Sequence, residues 1–194
     1  MVDRNNITGI VLAGGESSRM GTDKGLMKLK QKPFVKHIID AIQPLVNNVI
    51  IISNSTEYDQ FGLRTYKDII KRSGPLAGLH TGLYYSKTDY NLFVSCDVPL
   101  IKTKVLEQLI NAIEEEYDVI QLKAGEKTMP LVAIYRKHCE LPIEVMLADG
   151  ERRVRVAVKQ LKTKTINVDD DLSEALININ TKEELNKVKH AIED

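Results

Sequence analysis

Cysteine is scarce in this chain. Its two cysteines, Cys96 and Cys139, are too few for a disulfide framework and lack the paired spacing of a metal-binding motif. A secreted domain held together by disulfides is therefore excluded, and a reducing, cytoplasmic setting is the expected one. The chain also has no internal repeat and no low-complexity tract.

Long apolar runs and an excess of either charge are missing as well. The first six residues contain no apolar signal core, and no later run approaches the length of a membrane span. Lysine plus arginine and aspartate plus glutamate number 27 each, so no overall field favours nucleic acid or a membrane as partner. With 194 residues, 43% of them hydrophobic, the composition is that of one soluble globular domain. Any anion site must therefore be local.

Residue pairs that would indicate covalent catalysis are not found either. No serine or cysteine stands with a histidine in a pattern that predicts an activated nucleophile. His37 and His80 fall in predicted helices, and all four histidines are interpreted as structural or surface residues. Cys96 precedes an aspartate, but a small buried side chain is its expected role. Positioning and charge are the remaining means of catalysis.

The first feature that is present is a loop after an apolar run. Residues 7–13 (ITGIVLA) are short, continuous and rich in branched side chains, which predicts a buried strand. Gly14 and Gly15 follow, and glycines allow unusual backbone angles and the close approach of a ligand. Amides of such a turn can converge on an anion, while Arg19 and Lys24 can place positive charge over it. This pattern suggests a phosphate-binding loop for a nucleotide.

The loop does not match two common nucleotide-binding signatures. It lacks the Lys-Ser/Thr pair of a Walker A loop and the spacing of a G-x-G-x-x-G motif. The alternative is a tight glycine turn between a strand and a helix, with Arg19 and Lys24 merely solvated. Two cations so close behind the glycines favour the phosphate-binding interpretation.

Strand and helix patterns alternate along the rest of the chain. Pro33 is placed to begin a helix and Pro44 to kink or end it. Thr181, with Glu184 three residues later, has the pattern of a capping box at the start of the last helix. Further strands are predicted at residues 26–30, 48–53, 63–67, 90–95, 118–122, 131–135 and 163–168, and helices at residues 57–61, 73–86, 104–117, 138–147 and 151–161. Such alternation predicts a layered α/β fold with a mostly parallel sheet.

Four of the predicted strands end in residues suited to binding a ligand, namely Gly14-Gly15, Asn54, Asp68 and Asp97. The carboxyl ends of parallel strands lie at one edge of a sheet, where ligands bind. Asp97 would be a good Mg²⁺ ligand there, because Mg²⁺ takes one or two carboxylates together with phosphate oxygens and water. Asp68 could be a second metal contact or could accept hydrogen bonds from a sugar or base, and Asn54 could hydrogen-bond a ligand. The alternative for Asp97 is a helix cap or a turn residue, for Asp68 a turn residue before Ile69, and for Asn54 a residue that simply ends its strand.

Taken together, these motifs resemble a known family. The pattern Leu12-Ala13-Gly14-Gly15, Arg19-Met20, Asp23-Lys24 resembles the signature loop of nucleotidyltransferases that activate sugars and cofactors. Residues 74–78 (GPLAG), 96–99 (CDVP) and 150–154 (GERRV) resemble the molybdenum cofactor guanylyltransferases in particular, and residues 178–185 (NINTKEEL) are similar to that family's C-terminal motif. The matches run in the expected order from residue 7 to about residue 185; one departure is Gln31, where the family has glycine.

The resemblance implies a three-layer, Rossmann-like nucleotidyltransferase fold in a single domain over residues 1–194. Its nucleotide-binding part would lie at about residues 7–100 and its acceptor side at about residues 101–194. The implied reaction transfers GMP from GTP to the terminal phosphate of molybdopterin, or of its molybdenum-bound form, with Mg²⁺ and release of pyrophosphate. Other proteins of molybdenum cofactor biosynthesis and the apo-molybdoenzymes that receive the product are further implied partners.

Site residues are carried over from the family by matching position. On the nucleotide side the resemblance implies Leu12, Ala13, Gly14, Gly15, Asn54, Asp68 and Gly78. Arg19 and Lys24 would contact the phosphates and act in catalysis with Asp97, the implied metal ligand. Asn178 and Asn180 would lie on the pterin side.

Two other functions stay open at the level of the sequence. A related nucleotidyltransferase could use CTP or a sugar phosphate, because base choice depends on a few contacts around Leu12 and the loop after Gly74. A carrier that delivers molybdopterin without catalysis would need no metal carboxylate. The joint presence of Asp97, Arg19 and Lys24 therefore favours an enzyme.

Overall fold

A computed structural model of the chain describes residues 2–14 and 23–193. The strands are β1 (Ile7–Leu12), β2 (Lys28–Leu29), β3 (Lys32–Pro33), β4 (Asn48–Ile52), β5 (Arg64–Tyr66), β6 (Tyr90–Ser95), β7 (Val119–Ala124), β8 (Lys127–Arg136) and β9 (Thr163–Asn167). The helices are α1 (Phe34–Ile42), α2 (Gly74–Tyr85), α3 (Thr103–Asn111), α4 (Glu140–Ala148), α5 (Val154–Lys159) and α6 (Lys182–Glu193).

A seven-stranded sheet with the order β5-β4-β1-β6-β8-β7-β9 forms the centre of the fold. The first four of these strands are parallel, and β9 lies parallel to β7 at the far edge. Of the sheet strands that the structure describes, β8 alone runs against its neighbours, β6 and β7. Gly125 and Glu126 alone connect β7 to β8, and so short a connection permits only antiparallel pairing. The predicted α/β fold with a mostly parallel sheet is confirmed.

Helices cover both faces of the sheet and produce three layers. α1 and α3 pack on one face in a core that contains Val11 of β1, while α2, α4 and α5 pack on the other with Ile10 and Leu12. This alternation along β1 follows from the two-residue period of a strand. α6 packs apart from both, through Leu185, against the region of β2 and the start of α1. Among the described residues no helix has both the length and the apolar character needed to cross a membrane.

Some element boundaries differ from the predicted ones. The helix predicted over residues 104–117 ends earlier, at the end of α3, because the chain tightens there into an i to i+3 turn in which Ile113 N donates to Ile110 O at 3.2 Å. Glu114, in the acidic run that follows, pairs with Lys164 of the edge strand at 2.7 Å. The helix predicted over residues 151–161 is limited to α5. Pro33 directly precedes α1, and Pro44 lies in the 3-10 helix Gln43–Leu45 that ends it, as their chemistry requires.

The strand predicted over residues 26–30 was wrong in its first half. A 3-10 helix, Lys24–Leu26, reaches into that part of the chain, and the extended conformation begins only at Met27, before β2. Asp23 causes the difference, because its Oδ1 accepts a hydrogen bond from Gly25 N at 3.1 Å and caps the 3-10 helix. The cap holds Lys24 at the start of a defined turn.

The turn between β2 and β3 contains two residues in the left-handed region, Lys30 with φ 48° and Gln31 with φ 63°. A two-residue hairpin turn with positive φ at both positions favours asparagine and glycine. The left-handed conformation costs a residue with a Cβ atom about 1–2 kcal/mol. Gln31 therefore keeps the shape of the turn but strains it.

Gln31→Gly should raise the free energy of unfolding by about 0.5–1 kcal/mol, because relief of the left-handed strain exceeds the entropy that glycine adds to the unfolded chain. Urea denaturation measures this change. The matched control is Gln160→Gly, at a residue with φ −90°, where glycine relieves nothing and equal or lower stability is expected. A Gln31→Gly protein no more stable than its parent would show that the turn is unstrained.

Candidate active site

The carboxyl ends of β5, β4, β1 and β6 lie side by side at one edge of the sheet. Between β1 and β6 the ladder continues past the strands, since Cys96 N donates to Leu12 O at 3.0 Å. Ala13 is buried and donates its N–H to the last carbonyl of β4 at 2.9 Å. Gly14 and Asp97 thus follow the paired ends of two neighbouring strands. The predicted convergence of strand ends is present in the structure.

On the other side of β1, Asn54 and Asp68 form a closed pair. Asn54 Nδ2 donates to Asp68 Oδ2 at 2.9 Å, and Asp68 N donates to Asn54 Oδ1 at 3.2 Å. Gly78 of α2 faces the same place, because a Cβ atom added there would lie 3.3 Å from Leu12 Cδ2 and 3.8 Å from Asp68 Oδ1. The fold therefore brings four of the predicted nucleotide-side residues together.

Asp68 is a carboxylate in an unfavourable setting. Burial raises its pKa above the ordinary value, although the hydrogen bond from Asn54 acts in the opposite direction. Its negative charge is therefore only partly compensated in the folded chain. A ligand that brings a hydrogen-bond donor or positive charge would relieve that cost, which favours a binding role over a simple turn residue.

Asp97 is half-buried and held at three points. Ser95 Oγ donates to Asp97 Oδ1 in a very short hydrogen bond, and Asn178 Nδ2 donates to Asp97 Oδ2 at 2.8 Å. Ile179 N donates to the main-chain oxygen of Asp97 at 2.7 Å. An ionised carboxylate has about four acceptor positions, so these hydrogen bonds orient the Asp97 side chain and still leave positions free for a ligand.

Lys24 reaches the same part of the molecule from a rigid turn. Its Nζ donates to Asn180 Oδ1 at 2.8 Å. The preceding Asp23 caps the turn and also accepts a hydrogen bond from the buried Tyr58 hydroxyl at 2.5 Å. Tyr58 packs so closely against Gly25 that any side chain at that position would collide with the phenol oxygen. The ammonium group is thus presented from a fixed base.

One short segment, residues 178–180, therefore contacts both Asp97 and Lys24. The predicted capping box at the start of α6 is confirmed and anchors this segment. Asn180 N donates to Glu184 Oε2 at 2.6 Å, and Glu184 N donates to Thr181 Oγ1 at 3.1 Å. Asn178 and Asn180 consequently stand in direct contact with the predicted metal and phosphate residues.

The surroundings of Asp97 fit a Mg²⁺ ion that also binds phosphate. In the part of the chain that the structure describes, no three His, Cys, Asp or Glu side chains gather into a metal site. Mg²⁺ does not require one, because it combines one or two carboxylates with phosphate oxygens and water. The adjacent Asn178 Oδ1 is shielded from solvent and has no hydrogen-bond partner within residues 2–14 and 23–193. With the free acceptor positions of Asp97, it makes the donor set beside this carboxylate one of oxygens, which is the kind that Mg²⁺ takes.

Ser95 and Tyr58 belong to the site but are missed by sequence reasoning. The sequence predicts Ser95 as a strand residue, and only its position two residues before Asp97 could have indicated a contact between the two side chains. Tyr58 lies 35 residues from Asp23, so the fold alone reveals their contact. Gly15 and Arg19, the other predicted phosphate-loop residues, lie outside the described part of the chain.

Cys96, the residue before Asp97, has no role as a nucleophile. Its side chain is buried, and burial raises the pKa of the Cys96 thiol to about 12. A thiol with that pKa is protonated at neutral pH and is a poor nucleophile. The prediction that Cys96 is a small buried side chain is therefore confirmed. The remaining groups of the candidate site can act through charge and hydrogen bonding.

A family model described as a MobA-like NTP transferase domain matches residues 9–165. The chain belongs to the MobA-like NTP transferase family. It is 36% identical to a probable molybdenum cofactor guanylyltransferase of Flavobacterium johnsoniae, over 93% of this chain and 95% of the relative. It is 33% identical to the molybdenum cofactor guanylyltransferase of Vibrio campbellii, over 95% of this chain and 96% of the relative.

A solved structure supports the fold assignment. The molybdopterin-guanine dinucleotide biosynthesis protein A of Archaeoglobus fulgidus is similar with a TM-score of 0.81 at 22% identity, over 96% of this chain and 98% of that chain. The Rossmann-like nucleotidyltransferase fold implied by the sequence is thereby confirmed. The MobA-like chain is a nucleotidyltransferase, and its candidate site lies at the edge where its fold predicts one.

Asp68→Asn should stabilise the chain at neutral pH and lose that advantage in acid. Because the folded-state pKa of Asp68 is raised, its charge opposes folding above that pKa and has no effect once the group is protonated in both states. We expect the melting temperature at pH 7 to rise by roughly 1–2 °C, a small value because the carboxyl is still partly solvated. Thermal melts from pH 3 to pH 8 test this; an advantage that grows as the pH falls would contradict it.

Tyr58→Phe should weaken both the fold and the nucleotide site. The variant loses a hydrogen bond to a carboxylate, which contributes roughly 1.5–3 kcal/mol, and it frees the turn that presents Lys24. We expect lower stability in urea and a KM for the nucleotide raised several-fold, with a smaller change in kcat.

Tyr117→Phe is the matched control, because the Tyr117 hydroxyl makes no hydrogen bond among the described residues while its ring contacts Lys162 and Lys164. This control should stay within about 0.5 kcal/mol of the parent. Equal effects of the two substitutions would remove the special role of Tyr58.

Proposed function

We propose that the chain transfers GMP from GTP to the terminal phosphate of molybdopterin, or of its molybdenum-bound form, and releases pyrophosphate. One observation carries the proposal: a carboxylate, Asp97, and an ammonium group, Lys24, meet at the end of β1 and β6 through Asn178 and Asn180. A carboxylate beside an ammonium group suits a triphosphate with its bound cation, whereas a carrier without catalytic activity would need no metal-binding carboxylate. The names of the two relatives, both guanylyltransferases of the molybdenum cofactor, support the choice of base and acceptor.

The nucleotide would lie along the carboxyl edge of the sheet. Gly14 follows β1 without a side chain, which leaves room for phosphates beside the backbone. Leu12 and Gly78 would contact the base or ribose, and the Asn54–Asp68 pair offers both an amide and a carboxylate to nucleoside hydroxyl or amino groups. In this arrangement donors from the nucleoside would add to the hydrogen bond from Asn54 and relieve the remaining cost of the buried Asp68 charge.

The reaction requires positioning and charge neutralisation rather than a strong base. An oxygen of the acceptor phosphate is already anionic at neutral pH, so it can attack the α-phosphorus of GTP directly. A bond forms between that oxygen and the α-phosphorus while the bond to the bridging oxygen of the pyrophosphate breaks, and pyrophosphate leaves with the electron pair. Lys24 and Arg19 would stabilise the negative charge that passes to the leaving group.

Asp97 is the residue that would hold Mg²⁺, oriented by Ser95 and Asn178. Bound Mg²⁺ would supply positive charge to the triphosphate oxygens and lower their repulsion toward the incoming phosphate. Asn180 would share its oxygen between Lys24 and the acceptor side. The molybdoenzymes that take up the product, and other proteins of the same biosynthesis, are the proposed partners.

The direct test is incubation of the protein with GTP, Mg²⁺ and molybdopterin, followed by measurement of pyrophosphate and of the dinucleotide product. Parallel reactions with CTP, and with a sugar phosphate as acceptor, separate this function from its relatives. Release of pyrophosphate with CTP but not GTP would contradict the guanylyl assignment. Tight binding of molybdopterin without any pyrophosphate would indicate a carrier.

Asp97→Ala should keep the fold and lower kcat by roughly 10²–10³, the usual effect of removing one electrostatic element from a transition state. Lys24→Ala should lower kcat and also raise the KM for GTP, whereas Arg19→Ala should chiefly lower kcat. Pyrophosphate release measures all three.

Glu107→Gln, an exposed carboxylate of α3, serves as the control and should leave kcat unchanged. Wild-type turnover of Asp97→Ala with Mg²⁺ would remove the metal role from this residue.

A further inference from the structure

A cavity lies beside the edge strand β5 and the end of α2, on the amino-terminal side of the candidate active site. It has a volume of about 210 Å³ and is lined by Thr8 of β1, Asn48 of β4, Arg64 of β5 and the residues that follow α2. Thr8 and Asn48 lie at the amino ends of β1 and β4, two of the strands whose carboxyl ends form the candidate active site. Arg64 and Tyr66 pair with Ile50 and Ile52 of β4, so the β5 side of the cavity reaches along the sheet toward Asp68. At about 3.3 Å per residue, Thr8 at the amino end of β1 lies roughly 13 Å from Leu12 at its carboxyl end.

The cavity carries positive charge without a counter-charge. Arg64 and Lys87 both line it and both are exposed, and neither side chain forms a salt bridge or hydrogen bond with another described residue. No Asp or Glu is among the residues that line it. Two cations that line one cavity without an acidic residue beside them make its potential positive, and a concave surface concentrates that potential on an anion.

The end of α2 does not oppose an anion here. The C-terminal carbonyls of a helix carry partial negative charge, which would repel one. Lys137 satisfies two of these carbonyls, because its Nζ donates to Leu83 O and, at 3.2 Å, to Tyr84 O, and it also pairs with Glu140 at 2.7 Å. The positive charge of Arg64 and Lys87 is therefore left uncancelled at the cavity.

Aromatic rings and a fixed floor complete the cavity. The rings of Tyr66 and Tyr85 stack with centroids 3.9 Å apart and planes within 12°, and Tyr84 meets Tyr85 edge-on at 5.1 Å. Tyr85 keeps 37% of its surface exposed although it is stacked on one face. Below the rings Thr8 Oγ1 and Thr88 Oγ1 are 2.8 Å apart, and this hydrogen bond ties β1 to the loop after α2.

We propose that this cavity is a second ligand site, which binds a phosphate-bearing anion between Arg64 and Lys87. Guanidinium and ammonium groups are the usual partners of phosphate, and the side-chain amide of Asn48 adds a neutral donor. The volume of about 210 Å³ is below that of a typical pocket for a drug-sized ligand and suits a small anion such as pyrophosphate. A mononucleotide fits the same chemistry if its phosphate enters and its base stacks on Tyr85.

The test is isothermal titration with inorganic pyrophosphate and with GMP, in the Asp97→Ala/Lys24→Ala background and without divalent cations. That background removes the proposed metal ligand and one of the proposed phosphate contacts of the candidate active site, so binding of pyrophosphate is measured apart from the proposed reaction. We expect saturable binding of at least one of the two probes. Adding Arg64→Gln and Lys87→Gln should weaken it roughly tenfold or more, because both charges are lost.

Lys159→Gln with Lys187→Gln removes two exposed cations from α5 and α6 and should change the affinity less than twofold. Tyr85→Leu identifies the source of the phosphate: a selective loss of GMP affinity supports a nucleotide, and unchanged affinities support an inorganic anion. Absence of binding of both probes would overturn the proposal. An equal loss in the control pair would also overturn it, since the effect would then be one of net charge alone.

Discussion

The candidate site depends on β1 being hydrogen-bonded in parallel on both sides, to β4 and to β6. Every residue of β1 is buried, so the register of these two pairings is set by the core on both faces of the sheet. A slip of one residue would turn Val11 and Leu12 to the wrong faces. The register in turn decides which residues emerge at the edge, and it puts Gly14 next to Asp97 on one side and next to the residues after β4 on the other.

Neutral amides, rather than ion pairs, hold the charged groups of the site. Asp97 accepts from the amide of Asn178, and Lys24 donates to the amide oxygen of Asn180. Among the described residues, Asp97 and Lys24 form no salt bridge with one another, although both interact with the same segment. An ion pair would have to be broken before a triphosphate and a cation could enter, whereas an amide can share its hydrogen bonds with them. These amide contacts therefore orient the charged groups of Asp97 and Lys24 without neutralising their charges.

Much of this arrangement could be predicted from the sequence, because it depends on local patterns. Branched apolar runs such as residues 48–52 can hardly be anything but buried strands, and the carboxyl ends of such strands share an edge. Asn54, Asp68 and Asp97 were found in this way. The turn at Gly125 likewise predicts a hairpin of β7 and β8.

The partners of these residues could not be predicted, because they come from distant parts of the chain. Asn178 lies 81 residues after Asp97, and Asn180 lies 156 residues after Lys24. The position of β8 between β6 and β7 could not be predicted either, because the order of strands in a sheet depends on contacts between distant segments. Arg64 and Lys87 look like ordinary surface cations until the strand order brings them to one cavity.

The hydrogen bond from Ile179 N to the main-chain oxygen of Asp97 has a consequence for how the site can be observed. Local opening of the segment that leads into α6 would detach Asn178 and Asn180 while the sheet stays intact. The exchange rate of this one amide proton with solvent would then report how often the site comes apart. Slower exchange on addition of a nucleotide would reveal closure of the site even when no turnover takes place.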